Sequence, residues 1–313
     1  MAEVTASMVK ELREMTSAGM MDCKKALSET NGDMDKAVEY LREKGLAKAA
    51  KKAGRIAAEG ICETVVSEDG KTAAIVEVNS ETDFVAKNEK FRGYVQDVVA
   101  QALVSEAGDI DAFLAEEWKK DTSKTVAEEL AAQIAVIGEN MKIRRFAKVK
   151  AENGFIETYI HSGGKIGVLI EMEASEVSAA AKECAKNVAM QVAAMNPKYV
   201  CEAEVEADYL AHEKEIIKAQ IMNDPKESQK PEKVIEGMIQ GRIKKELKEI
   251  CLLDQVYVRA EDGKQSVGQY VAQVAKDNGI TLAVKSIVRF ETGEGLEKKQ
   301  EDFAAEVAKQ MGM

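Results

Sequence analysis

The sequence predicts an α+β protein whose core is one unit used twice, flanked by helical modules. Three observations carry that prediction. First, Gly60-Ile61-Cys62-Glu63-Thr64-Val65-Val66 is matched 94 positions later by Gly154-Phe155-Ile156-Glu157-Thr158-Tyr159-Ile160. At the same offset Gly70-Lys71 meets Gly164-Lys165, and Glu77 meets Glu171. Second, residues 1–46 place apolar side chains at helical spacing between strong turn signals. Third, residues 208–248 carry two isoleucine stripes on either side of a proline-bounded turn.

The N-terminal module reads as three short helices. Val4, Met8, Leu12 and Met15 recur at helical spacing, and Ser17-Ala18-Gly19 breaks the run. Asp22 is placed to cap a second helix with Ala26 and Leu27 inward, and Asn31-Gly32 turns the chain. Asp33 opens a third helix with Met34, Ala37, Val38 and Leu41 inward, and Gly45 is its expected stop. Gly19-Met20-Met21 reads as a loop in which one methionine packs inward or the pair forms an adaptable apolar surface. Residues 47–58, with Lys48, Lys51, Lys52 and Arg55, read as a solvated helical linker.

Each copy of the repeat reads as strand, glycine turn, strand, long helix and a later strand. The helices are expected at 82–103 and 176–195, and the later strands at 142–150 and 281–290. Strands bracketing helices in this order give two α+β subdomains with small antiparallel sheets, one at 59–150 and one at 151–207 plus 249–291. Between the parts of the second, Leu210, Ile217 and Ile221 face Ile235, Ile239 and Ile243 across Pro225 and Pro231, which stop both helices. This is an inserted antiparallel helical hairpin. Residues 292–313 begin with Gly293-Glu294-Gly295 and continue as an amphipathic docking helix bearing Phe303, Ala304, Val307 and Met311.

Composition narrows the function classes. With 313 residues, 45% hydrophobic and 32% charged, the chain has the texture of a globular protein of several domains. A formal net charge of −11 argues against broad binding to nucleic acid or to an anionic membrane. No apolar run approaches the ~20 residues of a membrane span, and Met1-Ala2-Glu3-Val4-Thr5 has neither the basic nor the apolar part of a signal peptide. Five widely spaced cysteines without a C-x-x-C read as reduced thiols of a cytoplasmic protein. Two histidines, His161 and His212, leave no room for a histidine-rich metal site, and no phosphate-binding glycine loop or nucleophile elbow occurs. A non-enzyme with no cofactor is the expectation.

The candidate site is Ser80-Glu81-Thr82-Asp83-Phe84-Val85-Ala86-Lys87-Asn88. It follows the apolar run 73–78, and its Ser, Thr and Asp read as a helix cap. Phe84 puts an apolar knob beside a carboxylate at a helix tip. Under a gapless alignment of the repeat its counterpart is Ser178, so the shared fold does not demand an aromatic there.

These residues closely resemble elongation factor Ts, the family of nucleotide exchange factors for the GTPase elongation factor Tu. The matching stretches are Thr16 through Leu27, Thr82-Asp83-Phe84-Val85-Ala86-Lys87, Ile137-Gly138-Glu139-Asn140, Arg144-Arg145, His161 with Gly164 through Leu169, and Asp302 through Val307. The resemblance runs the length of the chain. It implies that Thr82, Asp83, Phe84 and Val85 act at the Mg²⁺ end of the partner's nucleotide site, Asp83 and Phe84 foremost. It implies that Leu12, Met20 and Met21 meet the partner's nucleotide domain, that His161 and Gly164 meet another domain, and that Phe303 and Val307 belong to a C-terminal docking module. Ser17 stands where the family usually has Gly. The resemblance leaves self-association open, as a homodimer or a 2:2 complex through the hairpin or the core.

Three other readings remain at this level. The N-terminal helices with their Gly-Met loop also resemble ubiquitin-associated domains, which would make the protein a protein-binding module. The basic stretch from Lys48 to Arg55 would suit an RNA-associated translation protein. An enzyme would need His161 as general base, and no nucleophile stands near it in sequence.

Overall fold

The structure is a computed structural model that describes residues 4–16 and 18–297. Ser17, Phe303 and Val307, with the rest of the expected C-terminal helix, lie outside the described residues. The described chain is a mixture of helices and small antiparallel sheets, an α+β protein.

The N-terminal module consists of α1 (Ala6–Thr16), α2 (Met20–Glu29) and α3 (Met34–Lys52). Leu12, Cys23, Ala26, Leu27 and Ala37 form its core and are fully buried. Asp33 caps α3, its side chain accepting the Lys36 amide. Two expectations need correction here. Gly19 rather than Asp22 precedes the first residue of α2, so Met20 and Met21 are helical. Gly45 does not stop α3, which continues through Lys52 and absorbs half of the expected linker. Gly45 lies inside the helix where α3 packs on the next helix layer, and a Cβ there would make only ordinary contact, 3.8 Å from the Ala135 Cβ.

The core begins with β1 (Glu59–Val66), β2 (Thr72–Ser80), the single turn α4 (Asp83–Ala86), α5 (Glu89–Val104) and α6 (Ile110–Ala115). It continues with a short hairpin, β3 (Glu117–Trp118) and β4 (Asp121–Thr125), then α7 (Val126–Ile137) and β5 (Met141–Lys150). The second half holds β6 (Phe155–His161), β7 (Ile166–Ala174), α8 (Ala179–Met195), the hairpin helices α9 (Ala207–Asn223) and α10 (Glu232–Ile250), α11 (Val267–Asn278) and β8 (Leu282–Glu291). The expected helix at 82–103 is therefore two helices. Asn88 re-caps the chain by accepting the Lys90 amide, which separates α4 from α5.

Besides the two-stranded β3–β4 pair there are two larger sheets, each antiparallel and three-stranded, in the orders β1-β2-β5 and β6-β7-β8. The repeat extends to their irregularities. The register of β2 against β5 shifts between Glu77 and Val78, and that of β7 against β8 between Glu171 and Met172, again 94 positions on. Gly60 and Gly154 both adopt positive φ, and a Cβ on either would lie 2.1 or 1.9 Å from the Val78 or Met172 carbonyl oxygen. Only glycine fits where the edge strand crosses its neighbour so closely.

The duplication also covers segments that the sequence does not show as alike. Helices α7 and α11 start 141 positions apart, each on a capping box, Thr125 with Glu128 and Ser266 with Gln269. Each ends on a left-handed glycine, Gly138 or Gly279. In the second copy the α9–α10 hairpin stands between α8 and α11, closed by Ile217, Ile221, Ile239 and Ile243.

The two sheets pack on each other. Strand β2 sends Ala74, Val76 and Val78 to its own helices and Ala73 and Ile75 to the seam, as a period-2 strand must when both faces are covered. Cys62, Ile156, Leu169 and Phe290 complete the seam. The Cys62 amide donates to the Gly164 carbonyl at 2.7 Å, which joins the two copies through backbone.

Candidate functional site

Strand β2 ends at Ser80, and the chain turns through Glu81 and Thr82 into α4. Thr82 is extended, with φ −126 and ψ 156, and its hydroxyl accepts the Val85 amide at 3.3 Å. Ala86 is buried against the core, while Phe84, two residues earlier, is 80% exposed. A single turn with one side anchored presents the other side outward. Asp83 pairs with Lys87 at 2.6 Å, and that hydrogen-bonded ammonium holds the Asp83 carboxyl below its usual range.

The two copies align through this turn only with a gap. The strands correspond at an offset of 94, as Gly60 does to Gly154. The buried face of α5, with Phe91, Tyr94, Val95, Val98 and Gln101, corresponds instead to Ala181, Cys184, Ala185, Val188 and Gln191 of α8, an offset of 90. The difference of four is the length of α4, Asp83–Ala86. Ser178 is therefore the counterpart of Asn88, since each caps its long helix. Phe84 has no counterpart: it sits in a four-residue insertion that the duplicated fold does without.

The turn around His161 lies beside α4. The Arg92 guanidinium, from α5, donates to the Gly163 carbonyl at 3.0 Å and the Ala86 carbonyl at 3.5 Å through the same nitrogen. His161 is exposed, and its Nδ1 is 2.9 Å from the Tyr159 hydroxyl. Gly164 is buried, not presented: a Cβ there would lie 2.7 Å from the Ile61 Cβ. Its carbonyl accepts both the Cys62 amide and the Thr292 hydroxyl, so it fastens the seam.

In the N-terminal module Met20 and Met21 are 58% and 75% exposed, so neither packs inward. Leu12 has no exposed surface. It holds α1 against α2 and α3 and offers nothing to a partner in this arrangement. The module docks on α7, where Arg42 pairs with Glu128 and the Lys52 ammonium donates to the Gly138 carbonyl.

Sequence reasoning missed the support of α4. Glu139 accepts the Glu81 and Thr82 amides and the Thr82 hydroxyl, at 3.1, 3.0 and 2.7 Å. The signal available was a carboxylate directly after the C-terminal glycine of α7, in the stretch Ile137-Gly138-Glu139-Asn140.

Among the described residues, no three His, Cys, Asp or Glu side chains gather as a metal site would need, and no helix is long and apolar enough to cross a membrane. All five cysteines are unpaired, and burial pushes the Cys62 and Cys184 thiols up to about 12.

Fold and site together describe an α+β protein that displays apolar side chains, Phe84, Met20 and Met21, from helices whose other faces are buried. The sequence profile of the family Elongation factor TS matches residues 81–294. The chain is 54% identical over 311 residues to the elongation factor Ts of Clostridioides difficile (strain 630), covering 99% of this chain and 100% of that one. It is 53% identical over 308 residues to the elongation factor Ts of Clostridium tetani (strain Massachusetts / E88), covering 98% and 99%. The elongation factor Ts of Clostridium perfringens (strain 13 / Type A) is 53% identical over 309 residues, with 99% of each covered. The chain belongs to the elongation factor Ts family.

Proposed function

We propose that the protein binds elongation factor Tu in its GDP form and promotes GDP release, so that GTP can reload. Thr82, Asp83, Phe84 and Val85 act at the Mg²⁺ end of the partner's nucleotide site. Met20 and Met21 meet its nucleotide domain and His161 another domain. Phe303 and Val307 belong to the docking module at the C-terminal end. The protein works in the cytoplasm and makes or breaks no bond itself.

The physics is linkage. A factor that binds nucleotide-free GTPase more tightly than the nucleotide-bound form weakens nucleotide binding by the same free energy. Mg²⁺ requires near-ideal octahedral geometry, so a small displacement of its ligands loosens both ion and phosphate. The observation that carries the reading is Phe84, an aromatic 80% exposed on a turn whose other side is anchored. Burying it in a pocket that opens only in the distorted partner would yield about 1.5–3 kcal/mol, or roughly one to two decades in an equilibrium. Larger accelerations need the methionine and His161 contacts as well.

The test is stopped-flow release of a fluorescent guanine nucleotide from elongation factor Tu. Phe84→Ala slows release at saturating factor by roughly one to two decades. A variant as fast as the unaltered protein would refute the role of Phe84.

A further inference from the structure

We propose that Glu139 is the positioning residue of the exchange turn: its carboxylate fixes the start of α4 and thereby the direction in which Phe84 projects. The kinetic part of this proposal rests on the exchange reading above, and the structural part does not.

A helix of four residues cannot hold itself, because nucleation fixes several residues for a single hydrogen bond and the first amides have no intrahelical acceptor. Glu139 holds the cap residue Thr82 and Glu81 before it. One carboxylate oxygen takes the Glu81 and Thr82 amides at 3.1 and 3.0 Å, and the other takes the Thr82 hydroxyl at 2.7 Å. That hydroxyl in turn accepts the Val85 amide at 3.3 Å. The carboxylate therefore reaches through Thr82 into the turn that carries Phe84. Bonds to an ionised acceptor are the stronger kind.

The duplicated fold separates this brace from ordinary loop closure. Glu81 accepts the Asn140 amide at 2.6 Å. The corresponding residues of the second copy, Ser175 and Thr281, make the same join, with the Ser175 hydroxyl accepting the Thr281 amide at 3.0 Å. That latch belongs to the fold in both copies. Glu139 has Ile280 as its counterpart, 141 positions on, and the second copy has no equivalent of α4. The carboxylate occurs only in the copy that has the turn, which a general structural role would not require.

Glu139→Ala and Glu139→Gln in the full chain test the proposal in two ways. In the factor alone, amide hydrogen exchange at Glu81, Thr82 and Val85 should quicken by at least about tenfold in Glu139→Ala, with the α5 amides of Val95 to Val99 unchanged. Unchanged exchange at the three turn amides overturns the proposal. In nucleotide release, Glu139→Ala should lower the rate at saturating factor by roughly ten- to a hundredfold with little change in the half-saturating concentration. In a Phe84→Ala background it should add nothing, and an additive loss overturns the claim that Glu139 acts through Phe84. If Phe84→Ala alone leaves release unchanged, the exchange reading fails while the amide measurement still decides the brace. Glu139→Gln keeps the side-chain length and one acceptor oxygen, so it should show an intermediate loss in both measurements. It carries the test if Glu139→Ala does not fold.

Discussion

Gln101 and Gln191 occupy equivalent places in the two copies and hold equivalent segments by the same bonds. The Gln101 side chain donates to the Glu117 carbonyl at 3.2 Å and accepts the Lys119 amide at 2.9 Å. The Gln191 side chain donates to the Val256 carbonyl at 3.1 Å and accepts the Val258 amide at 2.8 Å. The residue between, Trp118 or Tyr257, is a buried aromatic in each copy. A buried amide thus stands in for a neighbouring strand. Replacing Gln191 by Leu would take their protein partner from the part-buried Val256 carbonyl and Val258 amide, a loss of about 0.5–1.5 kcal/mol each. Urea unfolding should show Gln191→Leu destabilised by about 1–3 kcal/mol, whereas the surface change Gln273→Ala stays within about 0.5 kcal/mol.

The glycines of the repeat make a sharper contrast. A Cβ at Gly154 would lie 1.9 Å from the Met172 carbonyl oxygen, a contact that only backbone movement can relieve. At Gly70 the φ is +69 but nothing lies within 4 Å, so the cost is conformational alone. Gly70→Ala should lose about 1–2 kcal/mol, and Gly154→Ala more than about 3 kcal/mol because steric displacement of the sheet is added. Thermal melting of the two variants, measured side by side, checks the order.

These two positions also show what could be read beforehand. Gly60 and Gly154 are visible as a repeat because the constraint is on backbone, and no other residue type meets it. The helix faces diverged freely: Phe91 and Tyr94 face Ala181 and Cys184 at equivalent places, since any apolar set of suitable volume fills a core. That freedom hid the change of offset from 94 to 90, and with it the insertion at α4. Gly45 misled because a helix held by tertiary packing runs through a glycine that in sequence looks like one that ends a helix. Phe84 was legible because an exposed aromatic at a cap has no local explanation. Glu139 was not, because its partners are 57 and 58 residues away in the chain.

Glu77 predicts how the protein responds to acid. It is fully buried, and it accepts bonds from Arg144 at 3.0 Å, Arg145 at 2.6 Å and the Gly293 amide at 2.8 Å. Burial opposes its ionisation, but the Gly293 amide, Asn79 and the two guanidinium groups outweigh that and hold its carboxyl below the usual value. Because the folded value lies below the unfolded one, the unfolded chain takes up the proton first as pH falls. The stabilisation is therefore complete above about pH 4.3 and is lost as pH drops through the folded value. Arg145 also donates to the Glu291 carbonyl, so the segment 291–294 should loosen in the same window. Glu77→Gln should destabilise the protein at neutral pH by about 1–3 kcal/mol by taking the charged acceptor from Arg144 and leaving Arg145 with Glu294 alone, and it should flatten the acid limb of a stability–pH curve measured by urea unfolding.

The four-residue insertion allows a deletion that would be reckless in most folds. Removing Asp83–Ala86 leaves Glu81, Thr82, Lys87 and Asn88 between β2 and α5, the same number of residues as the 175–178 link between β7 and α8. The second copy closes that distance without strain, and Asn88, like Ser178, remains to cap the long helix. The deletion gives up the burial of Ala86 and the Thr82 cap, a loss of about 1–2 kcal/mol. The shortened protein should therefore fold, with a circular dichroism spectrum close to the original and a cooperative melt a few degrees lower. Met20, Met21 and His161 remain on their own supports, so it should still bind elongation factor Tu, more weakly, in a calorimetric titration. On the exchange reading it should no longer speed nucleotide release, because the turn that the second copy does without has been taken away. Release as fast as with the intact chain would mean that the work is done by the shared fold and not by the insertion.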